Sequence, residues 1–195
     1  WHPHATRAWA LGEVLGMDGD RVRVRPRREP GAPADEAVQE FKMSEVCPFD
    51  PSHALDLADL SLLNNYHEAP LLDLLRRRYA GDSIYTGVGP HVLVSINPYD
   101  WALSLPLYSP AQRRAYRDAA LTSLAPHVYA LAEFAARQRR SPIGAAGGDG
   151  AATRPQALLV SGESGAGKTE AIKIMLEYLA EPKHAARSAR YSSMI

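Results

Sequence analysis

Residues 157–179 read ALLVSGESGAGKTEAIKIMLEYL, and the rest of the 195-residue chain is organised around them. Ala157, Leu158, Leu159 and Val160 form a short apolar run, the pattern of a strand buried in a parallel sheet. A Gly-rich turn follows. From Lys168 the pattern becomes helical, with Ile172, Met175, Leu176 and Leu179 at i, i+3, i+4 and i+7. Strand, glycine loop and helix, in that order, are the setting a phosphate-binding loop needs.

The loop fits G-x-x-x-x-G-K-[ST] as Gly162, Glu163, Ser164, Gly165, Ala166, Gly167, Lys168 and Thr169. The glycines allow positive φ and close approach of an anion to the backbone. Their N–H groups can then converge into a nest, with the positive end of the following helix aimed at the same place. Lys168 is the candidate catalytic residue, reaching the β- and γ-phosphates, and Thr169 the candidate Mg²⁺ ligand. With glycine at about 7% of residues, a chance match in a chain of this length is on the order of one percent. The flanking elements reduce it further, so a bland Gly-rich turn is the weaker reading.

Composition narrows the field. Lys plus Arg number 22 and Asp plus Glu number 22, a formal net charge of zero. A dedicated nucleic-acid binder would carry a basic excess. No apolar run approaches 18 residues, and no signal-peptide pattern stands at the start, so neither a membrane span nor a secretory leader is expected. Cys47 is the one cysteine. It cannot pair within the chain, which suits a reducing compartment, and reads as a small buried hydrophobe. Because the chain opens on Trp1 and stops at Ile195 after a polar basic stretch, it reads as an internal piece of a longer protein.

Upstream, residues 9–24 read as a hairpin turned at Asp18-Gly19. Arg21 to Arg25 alternate strictly, with Val22 and Val24 on one face and the arginines on a solvated one. His2 and His4 could be read as a metal pair, but a frayed chain end fits better. Residues 26–40 are an aperiodic loop, 41–46 a returning strand, and Pro48 and Pro51 close a small first module. Helices are expected over 68–79, lined by Leu71, Leu74 and Leu75, and from Ser109, a good N-cap with Pro110 behind it, to about 123. A third should run from Pro126 to about 139. Strands are expected at 83–86 and 91–96, the second central in a sheet, with His91 structural at its start. Residues 141–155 read as an exposed insertion, and Lys183, His184, Arg187 and Arg190 as a solvated tail.

The segment Gly-Glu-Ser-Gly-Ala-Gly-Lys-Thr-Glu resembles the phosphate loop of the myosin motor head. The likeness extends upstream through Leu60-Ser61-Leu62-Leu63-Asn64, residues 71–79, Ile84-Tyr85-Thr86, Val94-Ser95-Ile96-Asn97-Pro98-Tyr99, Leu107-Tyr108 and Ala125-Pro126-His127-Val128. It is dense from about 56 to 180 and looser over 9–46, which resemble the small β-barrel that precedes many myosin heads. The resemblance implies an α/β phosphate-loop NTPase core, the incomplete motor domain, over residues 49–195, with a small β-barrel-like module over 1–48. It implies ATP and Mg²⁺ as ligands, with Asn97, Pro98, Tyr99 and Tyr108 bordering the adenine. It implies a cytoplasmic protein of the cytoskeleton whose full length couples ATP hydrolysis to movement on actin filaments, the actin-binding surfaces lying beyond this piece and light chains or calmodulin bound downstream.

Two departures stand out. Asp100 occupies the place after Asn-Pro-aromatic where the family commonly has lysine, and residues 141–155 exceed the usual short link. The Asn-x-Asn-Ser-Ser-Arg-Phe-Gly and Asp-x-x-Gly-Phe-Glu loops that position the attacking water in the family do not occur, so these 195 residues alone are expected to lack actin-activated turnover. Two other readings share the loop. A different phosphate-loop NTPase fits 162–169 but not Asn97-Pro98-Tyr99 or Pro126-His127. A truncated pseudo-motor would bind nucleotide without cycling.

Overall fold

The computed structural model describes residues 1–27, 37–120, 123–140 and 155–181. The chain divides into two compact units, Trp1–Gly81 and Asp82–Ile195.

In the first unit, strands β1 (His2–His4) and β2 (Ala8–Ala10) pair antiparallel. Strands β3 (Gly12–Asp18), β4 (Arg21–Pro26) and β5 (Gln39–Lys42) form an antiparallel sheet in that order. The expected hairpin is present, with Asp18 opposite Arg21 and Gly19 at φ +58 in the turn. The alternation of β4 is realised as read: Val22 and Val24 are buried and the arginines are exposed. Arg21 reaches Glu40 and Arg25 reaches Glu13 across the sheet, exposed pairs that contribute little to stability. Among the described residues these strands do not close into a ring.

Two expectations for this unit change. The strand read at 41–46 occupies Gln39–Lys42 instead, because residues Met43–Glu45 wind into a 3₁₀ turn whose Glu45 carboxylate accepts the Lys42 N–H at 2.8 Å. The chain start is not frayed: the Trp1 nitrogen donates to the Cys47 carbonyl at 2.8 Å, and Trp1, Cys47 and Ala69 share a buried cluster. His2 is buried against the Phe41 ring at 5.2 Å, so it serves packing. Burial likewise raises the Cys47 thiol pKa, as expected of an inert core cysteine. Helix α1 (Glu68–Ala80) starts where His67 Nδ1 accepts the Ala69 N–H and ends at Gly81. Of its leucines, Leu74 is fully buried and Leu71 and Leu75 are half-buried.

The second unit contains a two-stranded antiparallel hairpin, β6 (Tyr85–Val88) and β7 (Val92–Ser95), and helices α2 (Trp101–Leu107), α3 (Pro110–Asp118), α4 (Val128–Arg140) and α5 (Lys168–Ala180). Ser109 caps α3 as expected, its hydroxyl accepting the Gln112 N–H. The helix stops at Asp118, five residues short of the expectation. The core is aromatic: Ile84, Tyr85, Tyr116, Val128, Tyr129, Ala132, Met175 and Tyr178 are buried together. Tyr129 stacks on Tyr178 with ring centroids 4.7 Å apart, joining α4 to α5. His91 lies 4.6 Å from the Phe134 ring, a packing role.

Beneath that stack lies a buried acid. Glu133 accepts the Tyr178 hydroxyl at 2.9 Å and the Arg137 guanidinium at 2.7 Å. Arg137 also donates to the Arg117 and Ala119 carbonyls at the end of α3, and Arg117 donates to the Tyr178 carbonyl. One carboxylate thus ties α3, α4 and the C-terminal end of α5.

Three expectations for this unit are corrected. Residues 157–160 are not a strand: among the described residues no strand pairs with them, so their backbone joins no ladder, and Leu159 is 94% exposed. The strand read at 91–96 is not central but one of a pair, with Val92 56% exposed. The face of α5 toward the core is Ala171, Ile174, Met175 and Tyr178, while Ile172, Leu176 and Leu179 are exposed. The helix is apolar on two sides, and the periodic template picked the outer one. The insertion at 141–155, apart from Pro155, and the basic tail from Lys183 lie outside the described residues.

His127 stands at the start of α4, where Nδ1 accepts the Tyr129 N–H at 3.0 Å. It is buried among the rings of Tyr85, Tyr108, Tyr116 and Tyr129, at 4.5–5.7 Å between centroids. This desolvation lowers its pKa from 6.5 to about 4. The unfolded chain therefore takes up a proton as pH falls below 6.5, while the folded chain resists until about 4. Stability present above 6.5 is lost across that window, by about 3 kcal/mol. His127→Asn keeps an acceptor for the cap but cannot titrate. It is expected to flatten the fall in melting temperature between pH 6.5 and 4; an unchanged slope would place the acid sensitivity elsewhere.

Candidate functional site

The site begins where β7 ends. The Ile96 N–H still donates to the Ile84 carbonyl at 3.0 Å, but Pro98 has no N–H to continue a ladder and the chain turns. Asn97 shapes that turn, its Oδ1 accepting the Tyr99 N–H at 3.0 Å. Tyr99 lies at φ +52, a left-handed conformation that costs a non-glycine residue on the order of 1 kcal/mol. Asp100 opens α2, its carboxylate accepting the Ala102 N–H at 2.8 Å. The departure from lysine at this place therefore has a local structural use.

The loop at 162–169 closes on itself. The Ala166 N–H donates to the Glu163 carbonyl at 3.2 Å, and the Lys168 ammonium donates to the Gly162 and Glu163 carbonyls at 2.8 and 2.7 Å. Gly165 and Gly167 have φ +80 and +88, where any side chain would be strained. Gly167 is the N-cap of α5, and among the described residues no side chain caps that helix start. Its first-turn N–H groups and the positive end of its dipole therefore meet no side-chain acceptor, the usual setting for an anion.

The turn and the loop meet at a cleft of about 440 Å³. Asn97, Pro98, Tyr99 and Tyr108 line it with Ala166 and Gly167. A smaller hollow of about 210 Å³ is bordered by Gly162, Ala166, Gly167 and Lys168 together with Leu93 and Val160. Glu163, Ser164, Gly165 and Thr169 border neither and are exposed. Tyr108 is held by a 2.6 Å hydrogen bond between its hydroxyl and that of Tyr85. Burial raises the pKa of both phenols, so both stay neutral.

Among the described residues no group of three or more His, Cys, Asp or Glu side chains is placed to hold a metal. The Thr169 hydroxyl, exposed in the first turn of α5, is a hard oxygen ligand. Mg²⁺ typically takes one or two protein oxygens and fills its shell with phosphate and water, so a lone hydroxyl fits that ion.

Comparison with known proteins decides the family. Residues 57–194 match the family described as Myosin head (motor domain).

The chain belongs to the myosin head family.

It is 36% identical over 198 residues to Myosin-J heavy chain of Dictyostelium discoideum, the match covering 100% of this chain and 8% of that protein. Myosin-H heavy chain of the same organism is 35% identical, over 92% of this chain and 9% of its own length. Unconventional myosin-VI of Bos taurus is 31% identical, over 93% and 13% respectively. The chain thus spans about a tenth of the length of these relatives.

In this myosin head segment the cleft has walls that the sequence reading did not single out. Glu170, Ala171, Ile174 and Glu177 of α5 line it opposite Asn97 and Tyr99. Their signal was helical spacing from Gly167, since residues three and four apart share a face. Glu170 pairs with Lys173 at 2.8 Å and Glu177 with Arg113 at 3.7 Å. Among the described residues no helix is long and apolar enough to cross a membrane.

Proposed function

We propose that this chain is the ATP-binding part of a myosin motor, and that the complete polypeptide hydrolyses ATP to move along actin filaments. The observation that carries this is the cleft where Asn97, Pro98, Tyr99 and Tyr108 meet Ala166 and Gly167 at the start of α5. A pocket flanked by an aromatic turn on one side and an uncapped helix start on the other suits a base joined to phosphates. In this reading residues 162–169 cradle the phosphates with backbone N–H groups. Lys168 exchanges its two loop carbonyls for β- and γ-phosphate oxygens and holds positive charge where negative charge develops. Asn97, Pro98, Tyr99 and Tyr108 border the adenine. Mg²⁺ held by Thr169 would neutralise charge on the β- and γ-oxygens.

The same reading places an α/β phosphate-loop core over residues 49–195 and a small β-module over 1–48. It places the protein in the cytoplasm on the cytoskeleton, with light chains or calmodulin bound outside this segment. The complete polypeptide decides the matter by ATP titration and by phosphate release with and without actin filaments. ATP binding with actin-accelerated release is the expected result. Binding without acceleration would remove the motor and leave the nucleotide site, and no binding would remove both.

A further inference from the structure

The Gly165 carbonyl is held by two side chains that arrive from 68 and 66 positions away. The Asn97 amide donates to it at 2.8 Å and the Tyr99 hydroxyl at 3.0 Å. Both belong to the turn that Asn97 itself braces through the Tyr99 N–H. Tyr99 is 78% exposed, so ring packing does not account for its left-handed backbone; the residue is held instead by the Asn97 brace on its N–H and by its hydroxyl contact. The fit is close, since a Cβ built on Gly165 would stand 3.2 Å from the Tyr99 hydroxyl oxygen.

Gly165 has no side chain to resist rotation, so the peptide unit joining it to Ala166 turns over more easily than one between two residues with side chains. In a trans peptide the C=O and N–H point opposite ways. With the carbonyl pinned toward Asn97 and Tyr99, the Ala166 N–H faces inward, toward Glu163. Turning the unit over would present a carbonyl oxygen to the bound anion, and like partial charges repel. We propose that Asn97 and Tyr99 are positioning residues for the phosphate loop, pinning the Gly165 carbonyl outward so that the loop keeps its donors on the anion side. The inference rests on residues 162–169 being a phosphate site. It gives the base-side turn a second task, one that needs no contact with a base.

The test compares two ligands on the complete polypeptide: ATP with Mg²⁺, and inorganic pyrophosphate with Mg²⁺, which has no base. Tyr99→Phe keeps the ring and removes one donor; Asn97→Ala removes the other. For Tyr99→Phe both ligands are expected to weaken by the same factor, roughly three- to ten-fold, the worth of one hydrogen bond. Its melting temperature should stay at that of the unaltered protein, because the side chain is exposed. Pyrophosphate affinity unchanged in Tyr99→Phe overturns the inference, whether or not ATP weakens, since a residue that only meets the base or the solvent would behave so. If Asn97→Ala fails to fold, Tyr99→Phe alone decides. If the unaltered protein binds neither ligand, the phosphate reading falls and this inference with it; if it binds both and the variants match it, only this inference falls.

Discussion

Lys168→Ala in the complete polypeptide is expected to lower ATP turnover by a factor on the order of 10²–10³, the usual loss when one preorganised donor to transition-state charge is removed. The ammonium is already drawn across the loop, 2.8 and 2.7 Å from two carbonyls on its far side. It is therefore aimed at the space that the loop encloses rather than at solvent. Exchanging carbonyl for phosphate oxygens costs it little reorganisation, and phosphoryl transfer is catalysed mainly by such fixed charge. Lys168→Arg is expected to fail nearly as badly, because a planar fork cannot replace a compact ammonium in a loop closed this tightly. Single-turnover phosphate release measures both variants. If Lys168→Ala kept more than about a tenth of normal turnover, the proposed role of the lysine would be wrong.

The largest expected loss of stability lies away from the cleft, at Glu133. Glu133→Ala is expected to cost about 3 kcal/mol, because it leaves a cavity and strips an acceptor from the buried Tyr178 hydroxyl and from Arg137. Glu133→Gln is the sharper variant. Tyr178 and Arg137 each donate to a different oxygen of this side chain, and a carboxylate offers two such oxygens while an amide has only one. The amide NH₂ then either faces the Arg137 guanidinium or leaves the Tyr178 O–H without its acceptor, so Glu133→Gln should still cost about 2 kcal/mol despite its near-identical shape. Thermal unfolding of the complete polypeptide reads both. A neutral Glu133→Gln would mean that shape, not charge, joins α3, α4 and α5.

What was legible in the sequence was local. The Asp18-Gly19 turn, the alternation of Val22 and Val24, the Ser109 cap and the start of α5 after Gly167 each depend on a few adjacent residues. Each is found where the sequence places it. What was not legible depends on partners distant along the chain. Residues 157–160 have a strand's composition, but a strand exists only with a neighbour to pair with. The apolar positions of α5 fit two stripes, and the choice between them was made by Tyr178, whose hydroxyl finds Glu133 45 positions away. A tyrosine does not register in an aliphatic template, nor does a glutamate in a core. At the site, the loop was readable from its own spacing. Asn97, Pro98, Tyr99 and Tyr108 came only through family resemblance, because no local pattern predicts that a turn at 97–99 will meet Gly165.

Helix α5 is secured unequally along its length. Its C-terminal end carries the Tyr129–Tyr178 stack, the Glu133 hydrogen bond and the Arg117 contact, whereas Thr169 and Glu170 at its start are exposed. Helices ordinarily fray at both ends. Here, amide hydrogens near Tyr178 should exchange with deuterium far more slowly than those near Thr169, a protection gradient along a rod about 20 Å long. The less secured end is the one next to residues 162–169. If the proposed phosphates bind there, nucleotide is expected to slow exchange in the first turn of α5 and to leave the amides near Tyr178 unchanged.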